Sequence, residues 1–284
     1  MHPRRPRRTW PGLPALLALT ALLVTGCTTG PAGPRGEVTR ITTADGVRTA
    51  EVHRPASAAP GAALVVVLHG MGGDAEGARR LFGWDALAER DGFVVAYPDG
   101  VGRSWNAGPC CGPAHERGVD DVGFLRALAA RLVEEHGLDP TRVYAVGMSN
   151  GAMMSYTWAC SHPGELAAVG SVAGARLVDC PAPGPLTVVA VHGTADRSVP
   201  VEGGVGPQSM TGYDYPPLER SLEPFRRDCT ARPLPGPPGT EVSGWTCEDG
   251  SRVVSALVDG RGHTWAGSGT AALVWEHMGT ARRG

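Results

Sequence analysis

The sequence predicts an α/β fold with a mostly parallel central sheet and an N-terminal antiparallel hairpin, and three patterns carry that prediction. Continuous apolar runs at residues 63–68, 93–97, 143–146, 167–172 and 186–191 are what strands covered on both faces require, because neither face meets water. Helical patterns, such as the one over residues 122–136, alternate with them, and strand–helix alternation builds a parallel sheet through crossover connections. Ahead of both, residues 39–54 alternate around Asp45-Gly46, the mark of an antiparallel hairpin.

The first element is a leader. Residues 1–26 hold Arg4, Arg5, Arg7 and Arg8 with no acidic residue, followed by an apolar stretch over 13–24. This is a signal peptide by pattern, and the stretch is shorter than the ~20 apolar residues a membrane-spanning helix needs. Val24-Thr25-Gly26-Cys27 resembles a bacterial lipobox, which implies lipidation of Cys27; ordinary cleavage would leave Cys27 as a spare thiol. Arg7-Arg8-Thr9-Trp10 fits a twin-arginine signal or an ordinary basic n-region equally well. Residues 27–36 are a Thr/Gly/Pro tether, and 37–284 are expected to form the folded domain. The expected location is extracellular, on the outer face of the cell membrane, or otherwise secreted.

Loss of the leader removes four arginines and leaves 22 basic against 28 acidic residues, a charge of about −6 with histidines neutral. That argues against a nucleic-acid partner. Besides Cys27, six cysteines remain: Cys110, Cys111, Cys160, Cys180, Cys229 and Cys247. In an exported chain they predict disulfides rather than zinc, for which the typical two-residue spacing is missing. Cys229 with Cys247 is the best single pair, because the two bracket a Pro/Gly-rich excursion. The sequence shows no internal repeat and no insertion long enough for a large lid domain.

Gly147-Met148-Ser149-Asn150-Gly151 follows the third apolar run and precedes a helical pattern. A serine on so sharp a strand-to-helix turn needs small neighbours two residues away on each side, and the glycines supply them. Serine is a poor nucleophile at neutral pH, so a histidine must take its proton and a carboxylate must orient that histidine. In α/β-hydrolases these follow in the order acid, then histidine, each after a later strand. Asp196 stands in the loop after the run at 186–191, and His263 follows the run at 253–258. Singly, each could be an ordinary loop residue; together and in order they predict the triad Ser149, Asp196, His263. His192 is a rival base, expected instead to make a structural hydrogen bond. The oxyanion donors predicted are the backbone N–H groups of Asn150 and of Met71, in His69-Gly70-Met71-Gly72-Gly73.

Several motifs together resemble one family: Leu68-His69-Gly70-Met71-Gly72-Gly73, Ser104-Trp105-Asn106, Cys110-Cys111-Gly112, Val119-Asp120-Asp121-Val122-Gly123-Phe124, residues 147–153 and Gly262-His263-Thr264-Trp265. They are similar to the secreted polyhydroxybutyrate depolymerase and feruloyl esterase group, and the likeness runs over nearly all of residues 63–267. It implies an extracellular α/β-hydrolase that cleaves carboxylic esters, polysaccharide-linked or polyester, with no metal or organic cofactor. Where the family often has Trp-Pro-Gly after the histidine, this chain has Trp265-Ala266-Gly267. Trp105 and Trp265 are expected near the mouth of the site as substrate-binding residues, with loop packing as the competing role. Tyr213, Tyr215, Pro216 and Pro217 offer a third wall. Asp120 and Asp121 are expected to cap a helix rather than to react. Acetyl xylan esterase, serine peptidase and inactive ligand-binding lipoprotein are the alternatives. Membrane contact is expected only through the lipid anchor, and the sequence is silent on oligomeric state.

Overall fold

In the computed structural model, which describes Met1 and residues 37–283, β1 (Glu37–Thr43) and β2 (Gly46–His53) form the expected hairpin around Asp45. The signal peptide, the lipidation of Cys27 and the tether lie outside the described residues. Then follow β3 (Leu64–Leu68), α1 (Ala75–Phe82), α2 (Trp84–Asp91), β4 (Val94–Pro98), α3 (Gly112–Glu116), α4 (Asp121–His136), β5 (Val143–Met148) and α5 (Asn150–Ser161). The chain continues through β6 (Ala168–Val172), β7 (Thr187–Gly193), α6 (Leu218–Leu222), β8 (Cys229–Leu234), β9 (Thr240–Cys247), β10 (Arg252–Val258) and α7 (Gly267–Met278). Among the described residues, no helix is long and apolar enough to cross a membrane.

These strands form one sheet in the order β1-β2-β4-β3-β5-β6-β7-β10-β9-β8. From β4 to β10 every neighbouring pair is parallel, and the antiparallel pairs sit at the two ends. The fully buried residues of β3 alternate between two cores: Leu64, Val66 and Leu68 pack with α4 and α5, while Val65 and Val67 pack with α1, α2 and α7. A strand with helices on both faces has no solvated side, which is why its sequence is an unbroken apolar run.

One region differs from the sequence expectation. The Pro/Gly-rich excursion is only the turn of a hairpin, and the residues on either side of it are strands β8 and β9. They escape apolar-run reading because β8 lies on the sheet edge with most of its residues exposed. Cys229 faces Cys247 across this hairpin and is bonded to it, as expected; Cys160–Cys180 and the adjacent pair Cys110–Cys111 are the other two disulfides.

The chain leaves β3 for β4 on one side and returns to β5 on the other, so the sheet reverses its winding direction between β3 and β5. In open α/β sheets, loops at the carboxyl ends diverge at such a point and leave a crevice. Leu68 pairs with Gly147 in register, which brings the loop after β3 beside the turn after β5.

Candidate active site

Ser149 occupies that turn with φ 54° and ψ −121°, a strained conformation for a residue with a side chain. The turn holds because its backbone is fixed: Ser149 N–H donates to Val172 O at 2.9 Å, and Met153 N–H to Ser149 O at 2.9 Å. A Cβ on Gly147 would collide with the backbone of Gly151, and one on Gly151 with the carbonyls of Leu68 and His69. Both glycines are therefore steric requirements of the close approach between strand, turn and helix.

β7 and β10 are parallel neighbours, so the loops after them emerge side by side. Ala195 N–H donates to Arg261 O at 2.9 Å, tying the Asp196 loop to the His263 loop. In the resulting geometry His263 Nε2 lies 2.9 Å from Ser149 Oγ, and His263 Nδ1 lies 2.7 Å from Asp196 Oδ2. The structure brings together the three residues the sequence placed 114 and 67 positions apart. Asp196 Oδ1 accepts the backbone N–H groups of Ser198 and Val199, each at 2.9 Å. Its side chain is fully buried, which opposes ionisation. The hydrogen bonds from His192, His263 and the Val199 N–H outweigh that burial and hold the carboxyl well below the usual carboxylate range. His192 makes the structural contact expected of it, from Nε2 to Val199 O at 2.8 Å, with Asp196 Oδ2 3.4 Å away.

Met71 and Asn150 line the same pocket as Ser149 and His263. Among the described residues, neither backbone N–H donates to a protein acceptor, whereas Gly72 N–H and Gly73 N–H are bonded to Arg103 O and Gly70 O. The surroundings of these two donors are hydrogen-bonded to one another. Asn150 Oδ1 accepts Trp105 N–H at 2.7 Å, and Asn150 Nδ2 donates to Trp105 O at 2.9 Å. Trp105 Nε1–H donates to His69 O at 2.9 Å, so one tryptophan bridges the elbow and the loop after β3. The buried His69 ring bonds Gly70 O through Nδ1 and accepts Gly100 N–H at Nε2; burial lowers its pKa, consistent with the neutral form that this pairing needs.

For both tryptophans the substrate-binding role gives way to the competing one, loop packing. Trp105 is 0% exposed and has no face for a substrate; its indole is consumed in joining two loops. Trp265 is nearly buried, stacks on Phe82 with ring centroids 4.2 Å apart, and donates Nε1–H to Phe82 O and Gly267 O at 3.0 Å. It anchors the loop carrying His263 to the end of α1. Beside it, Ala266 N–H donates to Thr270 Oγ1 at 3.1 Å, a bond the proline common in the family could not make.

Of the third wall, Tyr215 lines the pocket, but Pro216 and Pro217 do not. Asp120 caps α4 through Gly123 N–H, as expected. Asp121 does more than the sequence suggested: it is buried, pairs with Arg48 at 2.7 Å and accepts Asn106 N–H at 2.7 Å, fastening the Trp105 loop to the N-terminal hairpin. Sequence reading missed Cys111, Met153, Val199, Met210 and Thr211 in the pocket lining, and no local pattern marks residues that only the fold assembles. A groove of about 380 Å³ between α4 and α5 is larger than the space at Ser149, yet no serine, cysteine or histidine lines it. Among the described residues, no group of three or more His, Cys, Asp or Glu side chains is placed to hold a metal ion.

Sheet, elbow and loop order define an α/β-hydrolase fold. The chain belongs to the family described as Esterase PHB depolymerase, whose profile matches residues 49–209. A Nocardia uniformis subsp. tsuyamanensis protein named "Putative esterase NocK" is 37% identical over 229 residues, covering 73% of this chain and 66% of that relative. Feruloyl esterase B of Piromyces equi is 29% identical over 206 residues, covering 67% of this chain and 37% of the relative. The chain thus spans less than two thirds of the length of either. The solved acetyl xylan esterase from Aspergillus awamori shares the fold with a TM-score of 0.61 at 17% identity, over 87% of this chain and 100% of that one.

Proposed function

We propose that this chain is a serine carboxylic ester hydrolase in which Ser149 is the nucleophile, His263 the general base and then acid, and Asp196 the residue that orients the imidazole. The observation that carries the reading is the hydrogen-bonded relay from Ser149 Oγ through His263 to the buried Asp196 carboxylate, at 2.9 and 2.7 Å. The Ser149 proton passes to His263 Nε2 as Oγ attacks the ester carbonyl. Asp196 accepts Nδ1–H and stabilises the imidazolium without taking the proton. The carbonyl electrons move to an oxyanion aimed at the N–H groups of Met71 and Asn150, each such donor being worth about 10²- to 10³-fold in turnover. Collapse expels the alcohol, protonated by His263. Water then attacks the acyl-enzyme with the same histidine as base.

The relatives named feruloyl esterase and acetyl xylan esterase support an ester of plant polysaccharide, and the family description supports a hydroxyalkanoate polyester. The leader supports export, with Cys27 lipidated and the domain held outside the membrane; Cys27→Ser should move the protein from the membrane to the soluble fraction, and unchanged fractionation would refute anchoring. The central test is labelling with a fluorophosphonate, followed by mass mapping of the adduct. A Ser149 adduct together with acetyl, butyryl or feruloyl ester turnover is expected. Absence of label in oxidised, folded protein would point to an inactive binding scaffold, and turnover of amides but not esters to a peptidase.

A further inference from the structure

The space at Ser149 is small, about 40 Å³. Beside it lies a second cavity of about 360 Å³. The two share four lining residues, Met71, Cys111, Met210 and Thr211, which make up the partition between them. Met210 is the exposed member, with 76% of its surface accessible. It sits on an irregular segment closed at its base by the Gly204–Tyr215 bridge. Behind it, Thr211 Oγ1 and Tyr215 Oη are 2.9 Å apart, and Tyr215 Oη is 3.9 Å from Cys110 Sγ. The tip that carries Met210 is thus backed by the Cys110–Cys111 disulfide.

Resting on the esterase reading above, we propose that Met210 sets acyl-group selectivity, and that the second cavity receives the distal part of an acyl group several carbons long that ends in a hydroxyl. In the tetrahedral intermediate, three substituents have fixed directions: toward Ser149, toward the Met71 and Asn150 N–H groups, and toward His263 for the departing oxygen. The acyl chain takes the fourth. The second cavity touches Met71 and Cys111 but not His263, Ser198 or Val199, so it lies away from the leaving alcohol and is open to the acyl chain. Its lining has two characters. Disulfide sulfur, thioether and the Tyr213 ring offer polarizable contact for a flat or flexible chain. His115 and Glu116 offer hydrogen-bonding groups for a terminal hydroxyl. A methionine at the entrance suits a gate that repacks, because its side chain is unbranched and rotates freely.

The test compares kcat/KM for acetyl, cinnamoyl, 4-hydroxycinnamoyl and 3-hydroxybutyryl-dimer esters of one alcohol in wild type, Met210→Ala, Met210→Trp and His115→Ala. Opening the partition in M210A should raise the long-acyl to acetyl ratio about 10-fold, and M210W should lower it by about 10-fold or more. H115A should reduce the 4-hydroxycinnamoyl to cinnamoyl ratio by about 10-fold, through loss of a hydroxyl partner. The hydroxycinnamoyl and dimer arms separate an aryl from an aliphatic source of the hydroxyl. A long-acyl to acetyl ratio that stays constant across both Met210 variants, while acetyl ester is still turned over, overturns the inference and leaves the esterase reading intact. No turnover of any ester by wild type, with no label on Ser149, overturns the esterase reading itself.

Discussion

On one side of Ser149, the elbow, the loop after β3 and the Trp105 segment are joined by hydrogen bonds between buried groups. On the other, the segment over residues 203–215 is irregular and exposes Val205 and Met210 to solvent. On the proposed function, the first side holds the groups whose positions would fix the chemistry. A hydrogen-bond donor helps a transition state only if it already points at the developing charge, so movement there costs rate directly. The second side bounds the room for substrate, where an adaptable surface can change what fits without disturbing proton transfer. The difference teaches that, on the proposed function, the hydrogen-bonded wall would hold the reacting groups in place while the irregular wall would set what fits beside them.

The largest effect should fall on the reacting group. Ser149→Ala is expected to lower ester turnover by about 10⁵- to 10⁶-fold with an unchanged melting temperature; near-normal turnover would remove the nucleophile from the rigid side altogether. Asp196→Asn should lower kcat by about 10⁴-fold, because the amide favours the wrong imidazole tautomer. The same variant has a pH signature. The native Asp196 carboxyl is held below its ordinary value, so its stabilising contribution is complete above the unfolded-state value of 3.8 and is lost as pH falls below it toward the lower folded value. Melting temperature against pH should therefore fall less steeply below pH about 4 in Asp196→Asn than in wild type; superimposable acid limbs would contradict this.

Next comes the comparison's most direct test. Trp105→Ala should cost about 3–5 kcal/mol in stability, as well as lowering kcat about 10²-fold through loosened oxyanion donors. Met210→Ala should stay within about 0.5 kcal/mol of wild type, as surface substitutions usually do, and change the choice of acyl group instead. Equal losses of melting temperature in the two variants would erase the distinction between the walls.

The parallel strands were legible because burial on both faces leaves an apolar run, and the hairpin because Asp45-Gly46 marks its turn. Strands β8 and β9 were not, since most of β8 is exposed and the pattern that marks a buried strand is missing. Ser149, Asp196 and His263 were legible through loop order after successive strands. The tryptophans were left between two roles for a physical reason: an indole is equally suited to stacking on a ligand and to filling a loop core while its N–H finds a carbonyl. Only the neighbours distinguish the two, and for Trp105 those are His69 and Asn150, 36 and 45 residues away.

By itself, the sequence determined the class of fold, the order of Ser149, Asp196 and His263 in loops after successive strands, and the steric need for Gly147 and Gly151, because each is written in local periodicity or spacing. The tertiary structure alone decided that Trp105 braces the loop after β3 and that Asp121 is held by Arg48 from the N-terminal hairpin. It also decided that Met71, Cys111, Met210 and Thr211 line both the space at Ser149 and the cavity beside it. Those are contacts between segments far apart in the chain, and their existence depends on how the sheet brings loop ends together rather than on any residue's own preference.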